Sequence, residues 1–228
     1  MAKKHLKTLT VPVSWPIKKK GTKFIVRPKP GKPFSTSIPL AVVFRNLLKY
    51  CKTMKEVKTI LQDNEIFVDQ VRRKEPKYLL GFMDSLSVPD TKEHFRLLLT
   101  TNKKLYLLPI TKEEAKLKVA KITGKVVLKK GKTQLNMYDG VNILVKKDTF
   151  KVGDSILLSL PENKITDHFK QEKGSYVFLV KGSHVGEQGV IESIEKDMVK
   201  VKTKEATFET PKDAIFIVGK GKSAVKIK

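Results

Sequence analysis

With 228 residues, 40% of them hydrophobic, the chain can form one large domain or two to three small ones with ordinary cores, which excludes a fully disordered protein. A formal net charge of +24, from 47 Lys and Arg against 23 Asp and Glu, exceeds what solubility needs and points to a polyanionic partner. No run of about 18 apolar residues occurs. The opening MAKKHLKTLT lacks a signal peptide's apolar stretch, so no membrane association and a cytoplasmic location are expected.

Residues 1–37 carry ten basic and no acidic side chains, and the first acid is Glu56. The rest of the excess is thinner: +3 over residues 38–89, +7 over 90–172 and +4 over 173–228. Pro12, Pro16, Pro28, Pro30 and Pro33 each remove a backbone donor and fix φ, so residues 1–37 read as an extended basic arm that phosphates neutralise. Lys3, Lys4, Lys7, Lys18, Lys19, Lys20 and Arg27 are its candidate phosphate contacts. Trp15, Phe24 and Phe34 interrupt the lysines, either to stack on bases or to anchor the arm to the protein. Only Arg27, Arg45, Arg72, Arg73 and Arg96 are arginines, so point-charge contact with phosphate should dominate over reading of base edges.

From Ile38 the chain should order. Leu40, Val43, Phe44, Leu47, Leu48 and Cys51 follow the spacing of one apolar helix face, with Pro39 in the first turn, and predict a helix over residues 39–51. Thr53 and Glu56 form a capping-box pair that opens a second helix with the apolar face Met54, Val57, Ile60 and Leu61. Arg45, Lys49 and Lys52 recur opposite the first stripe, and Lys55, Lys58 and Gln62 form a similar row on the second helix. Arg72, Arg73 and Lys77 follow on a hairpin that turns at Asp69 and Gln70.

Further strands are expected at residues 82–88 and in a hairpin joining Phe95–Leu99 to Leu105–Ile110, then a short helix from the Thr111–Glu114 capping pair to about Lys118. Beyond Ala120 the pattern is nearly all strand, with turns at residues 130–132, 139–140, 153–154 and 161–164, which argues a small barrel. A second barrel candidate begins near Gly174, and residues 219–228 form a basic tail.

Chemistry for catalysis is missing. A phosphate-binding loop would need glycine where Val126 precedes Gly131-Lys132-Thr133 and where Phe216 precedes Gly221-Lys222-Ser223. Asp167 and His168 are neighbours in a strand and point to opposite faces, so they read as surface residues. Cys51, His5, His94, His168 and His184 form no spaced metal-ligand set, and Cys51 reads as a buried thiol. Neither an enzyme, a cofactor, a metal nor a small-molecule substrate is expected.

The order of helix, capping box, helix and hairpin over Pro39–Val88, with Phe44-Arg45-Asn46-Leu47, Thr53 to Val57, Val68-Asp69 and Gly81-Phe82-Met83-Asp84, resembles the S-four RNA-binding domain. That resemblance implies RNA contact by Arg45, Lys49, Lys52, Lys55, Lys58, Arg72 and Arg73, and Lys77 is a further candidate from its place after them on the hairpin. Residues 180–191 (VKGSHVGEQGVI) resemble the KOW motif, with Lys181, Gly182, His184 and Gly186 in its loop. Gly189 stands at the motif's signature glycine, where close backbone approach or positive φ would require it.

Taken with Lys3 to Lys7 and Ile215 to Gly221, the whole chain resembles the S-four-e family of small-subunit ribosomal proteins, in its shorter archaeal form. The implied fold is α+β and mostly β. It comprises an arm (1–37), an S-four-like domain (38–89), a central β module (90–172), a KOW barrel of the Src-homology-3 type (173–218) and a tail (219–228). The implied role is a structural constituent of the small subunit, with small-subunit ribosomal RNA and neighbouring ribosomal proteins as partners. A free translation or transcription factor using the KOW barrel is the rival reading. An RNA-modifying enzyme would need a larger catalytic domain than the space before Gly174 allows.

Overall fold

The computed structural model describes residues 5–128, 131–145, 148–203 and 206–227. Two compact units emerge, one of residues up to Leu99 with Lys103–Ala115, the other of Thr100–Asn102 with Lys116 onward. Strands dominate both.

In the first unit, β1 (Leu6–Lys7) pairs with β2 (Phe24–Ile25), Lys7 lying opposite Phe24. Between them the chain is fastened by Trp15, which is fully buried and donates from its indole nitrogen to the Ser37 carbonyl at 2.9 Å. The expected free arm is therefore corrected for the described residues. Proline denies the segment regular structure, but one large aromatic and β3 (Ser37–Pro39) tie it down, so order starts before Ile38.

The helix expected over residues 39–51 is shorter. Helix α1 (Leu40–Val42) widens directly into a π-helical turn, Val43–Leu47, whose last hydrogen bond runs from Leu48 N–H to Val43 O. Lys49 then takes φ +59° and ends it. Cys51 still reaches the core at 5% exposure, but from extended chain rather than from a helix face. Helix α2 (Met54–Asp63) opens on the complete capping box of Thr53 and Glu56 and buries Val57 and Leu61.

Strands β4 (Phe67–Val68) and β5 (Val71–Arg72) form a hairpin whose turn residues Asp69 and Gln70 have φ of +51° and +60°. These are the two consecutive left-handed residues that match strand twist. Next come β6 (Leu79–Gly81), β7 (Ser85–Val88), β8 (Glu93–Leu99) and β9 (Leu105–Pro109). Strand β6 pairs with β3, and the others form a sheet of order β5-β4-β7-β8-β9. Residues 82–84 turn rather than extend, with Met83 at φ +67°, so the strand expected from Phe82 begins at Ser85. Pairing of β7 with β8 carries the sheet across the expected boundary at residue 89, because the backbone hydrogen bonds of β7 are completed by a strand from beyond it. The capping pair at Thr111 opens only a single 3-10 turn, Glu114–Lys116.

In the second unit, β10 (Leu117–Val127), β11 (Thr133–Met137), β12 (Asn142–Val145), β13 (Ser155–Ser159) and β14 (Lys164–Phe169) form a sheet of order β12-β11-β10-β13-β14. Its core gathers Ala120, Ile122, Leu135, Met137, Ile156 and Leu158. The buried pair Lys118 and Asp139 is an ion pair at 2.5 Å. His168 is no ordinary surface residue. Its Nε2 meets Asp154 Oδ2 at 2.7 Å and its ring lies edge-on to Phe150, while Asp167 stays exposed, as opposite strand faces require.

The last sheet runs β18-β17-β16-β15-β19, built from β15 (Ser175–Leu179), β16 (Gln188–Glu195), β17 (Met198–Lys202), β18 (Thr207–Pro211) and β19 (Ile215–Lys220). Strand β19 passes the expected barrel end at Val218. Val225 and Ile227 are buried, and Gln188 Nε2 donates to Ile227 O at 3.2 Å, so the described part of the tail packs back on the protein rather than trailing free.

Candidate RNA-binding surface

The capped α2 turns Val57 and Leu61 inward and leaves Lys55 and Lys58 exposed one turn apart. No carboxylate pairs with either among the described residues. Arg72 is drawn to the same place. Its Nη2 donates to Gln62 O at 3.3 Å, beside a looser contact with Glu65 at 3.8 Å. Helix and adjoining hairpin thus each carry exposed cations, Lys55 and Lys58 on one and Arg72 on the other, and such an array suits a phosphate backbone.

The companion row on the first helix is not assembled as expected. Arg45 stands on the π-helical turn, half-buried, with its Nε lacking a hydrogen-bond partner. Lys49 lies beyond the turn, and Lys52 sits exposed in the linker, where its backbone N–H donates to Glu56 Oε2 at 2.8 Å. The turn's wider pitch and the left-handed residue break the i, i+4, i+7 geometry. Lys52 is instead continuous with α2.

Arg73 lies 4.4 Å from the centroid of the Tyr78 ring, a cation–π contact. No pattern in the sequence signalled Tyr78, which stands five residues on in a loop. Lys77 is exposed, its N–H directed at Glu75 Oε1 at 3.4 Å. Lys29 Nζ donates to the other Glu75 oxygen at 2.9 Å, and this hydrogen bond foremost holds the Glu75 carboxyl below the usual carboxylate range. Of the arm's candidates, Lys3 and Lys4 lie outside the described residues. Lys7, Lys18, Lys19, Lys20 and Arg27 are exposed. Arg96, by contrast, is wholly buried and donates to Glu114 O at 2.9 Å.

The KOW-like loop is closed on itself. Gly182 and Gly186 have φ of +95° and +87°. His184 Nδ1 meets Glu187 Oε1 at 3.0 Å, and its ring stacks on Phe208 with centroids 3.9 Å apart and planes 8° from parallel. Lys181 is exposed, and no carboxylate pairs with it among the described residues. Gly189 does not have positive φ. A Cβ there would lie 2.6 Å from Lys202 O and 2.7 Å from Val201 Cγ1, so close approach of β17 is what demands glycine.

Residues 91–165 match the model of ribosomal family S4e, and residues 2–32 match that of the RS4NT (NUC023) domain. Small ribosomal subunit protein eS4 of Methanopyrus kandleri is 36% identical, over 99% of this chain and 96% of its own length. The Methanocaldococcus jannaschii protein of the same name is 38% identical, over 99% and 98%. The crystal structure of the 30S ribosomal protein S4e from Thermoplasma acidophilum superposes with a TM-score of 0.72 at 30% identity, covering 85% of this chain and 99% of that one. With identity at this level over nearly its whole length, the chain belongs to the ribosomal S4e family.

Proposed function

We propose that the chain is a structural constituent of the small ribosomal subunit, in the cytoplasm, where it binds small-subunit ribosomal RNA beside neighbouring ribosomal proteins. The observation that carries this reading is the near-full-length identity to archaeal small-subunit proteins. The net charge of +24 supports a polyanionic partner, and the exposed Lys52, Lys55, Lys58 and Arg72 supply a surface for it. Phosphate contact from these lysines positions a protein on RNA shape rather than sequence. The helix-and-hairpin part of the first unit is the RNA-binding module in this reading, and the KOW-like loop, with its histidine engaged by Glu187 and Phe208, acts chiefly in folding of the C-terminal sheet.

Sedimentation tests it. A tagged copy should co-migrate with small subunits in one-to-one proportion after a high-salt wash. Release into the wash would instead mark a loosely bound factor.

A further inference from the structure

The N-terminal segment forms one wall of a groove of about 1010 Å³. Its floor is apolar, from Leu6, Phe34 and Leu79, and Phe24 stands at its side with half of its surface exposed. Lys7, Arg27 and Lys29 line the same groove, and no acidic residue does so among the described residues. Lys29 is engaged with Glu75, but neither Lys7 nor Arg27 has a carboxylate partner among the described residues.

Trp15 and Phe24 part company here. Trp15 is spent on anchoring, with no exposed surface, whereas Phe24 lies in β2 opposite Lys7, where burial gives no reason for an aromatic ring. Lys23 Nζ approaches the Phe24 ring at 5.6 Å and His5 tilts against it at 5.4 Å, so the ring is held in place but not covered. An exposed aromatic beside unpaired cations, over an apolar floor, matches the two surfaces of a nucleotide: a flat base and a charged phosphate. A duplex offers only its phosphates, because its bases are stacked and paired. An unpaired nucleotide offers both.

Resting on the reading that the chain binds ribosomal RNA, we propose that this groove receives an unstacked base of single-stranded RNA, stacked on Phe24, with the adjoining phosphates on Lys7 and Arg27. It is a second contact, distinct in chemistry from the phosphate-binding lysines of α2.

The test uses the full chain with two probes, a single strand of about ten adenosines and a blunt-ended RNA duplex, without loop or overhang, with the same number of phosphates. Phe24→Ala should weaken the single strand about tenfold and leave the duplex unchanged, since one base–aromatic stack is lost. The salt dependence of both should stay the same, because no charge is removed. Phe24→Trp should restore single-strand binding, and equal melting temperatures should show both variants folded. Unchanged single-strand affinity in Phe24→Ala, or an equal loss for both probes, overturns the proposal while leaving ribosomal RNA binding intact. So does loss of Phe24→Ala protein from salt-washed subunits with normal oligonucleotide affinity, which assigns the groove to a protein segment. Failure of the wild-type chain to bind either probe overturns the RNA reading itself.

Discussion

Lys121, on β10, donates from its ammonium to the Ile215 carbonyl at 2.6 Å, at the first residue of β19. The carbonyls of Lys212 and Asp213 stand at 3.2 and 3.4 Å, so a single lysine receives the 3-10 turn that leads into that strand. Burial pushes its pKa down to about 8, with Asp213 opposing and Lys181 reinforcing the shift. The folded value lies below the ordinary 10.5, so between about 8 and 10.5 the unfolded chain binds more protons than the native one. The contribution of this group to stability therefore rises with pH through that window. In Lys121→Met the rise is absent, and the stability deficit of the variant should widen by up to about 1.4 kcal/mol per pH unit there. Urea unfolding of both proteins at a series of pH values measures the difference, and parallel profiles would refute it.

At Gly189 the constraint is space. Even Gly189→Ala places a methyl against Lys202 O, and Gly189→Val adds branches against Val201. Overpacking of this kind costs about 1–3 kcal/mol, more for valine than for alanine. Thermal unfolding should show that order, with RNA affinity of the folded fraction unchanged. A valine variant that melts normally but does not bind RNA would make Gly189 a contact residue.

Replacement of Lys52, Lys55 and Lys58 by Gln should spare the core, since Val57 and Leu61 point away and the capping box is untouched. Each lost phosphate contact flattens the slope of log affinity against log salt by about 0.7–0.9, or roughly two units for three. A change below about half a unit in a folded triple variant would show these lysines to be mere solvated decoration.

Trp15 governs the N-terminal segment. Trp15→Ala removes a fully buried ring and its hydrogen bond to Ser37, at a cost of about 3–5 kcal/mol. In the RNA-free wild type, trypsin should cut first at the exposed Lys18, Lys19 and Lys20 and spare the flanking chain. In Trp15→Ala, cleavage should spread to Lys7 and Lys23, the remaining described basic residues of the segment that are not followed by proline. Uniform digestion of residues 5–37 in the wild type would mean that the segment is not packed without RNA.

Local rules read well where they act alone. The Thr53 and Glu56 pair set the start of α2, and Asp69-Gln70 set a tight hairpin, because capping and turn chemistry depend on adjacent residues. The first helix misled because Cys51 continues an apolar spacing, and is buried as that spacing requires, although the backbone had already left the helix at Lys49, whose positive φ the spacing does not reveal. Prolines made residues 1–37 look unanchored, since composition does not show that Trp15 has a pocket to fill. Of the candidate surface, Lys55, Lys58 and Arg72 were legible from periodicity. The stacking of His184 on Phe208 was not, because the partners come from strands that meet only in the folded sheet.

Cys51, the chain's one cysteine, is 5% exposed, and burial foremost raises the pKa of its thiol, with Glu56 adding and Arg45 opposing. Little thiolate forms there, and maleimides and iodoacetamides reach it slowly. The native chain is thus already a background for site-specific labelling. A single cysteine placed on an exposed position of α2, such as Lys58→Cys, will take a fluorophore or a photocrosslinker at that site alone, with no need to replace Cys51 first.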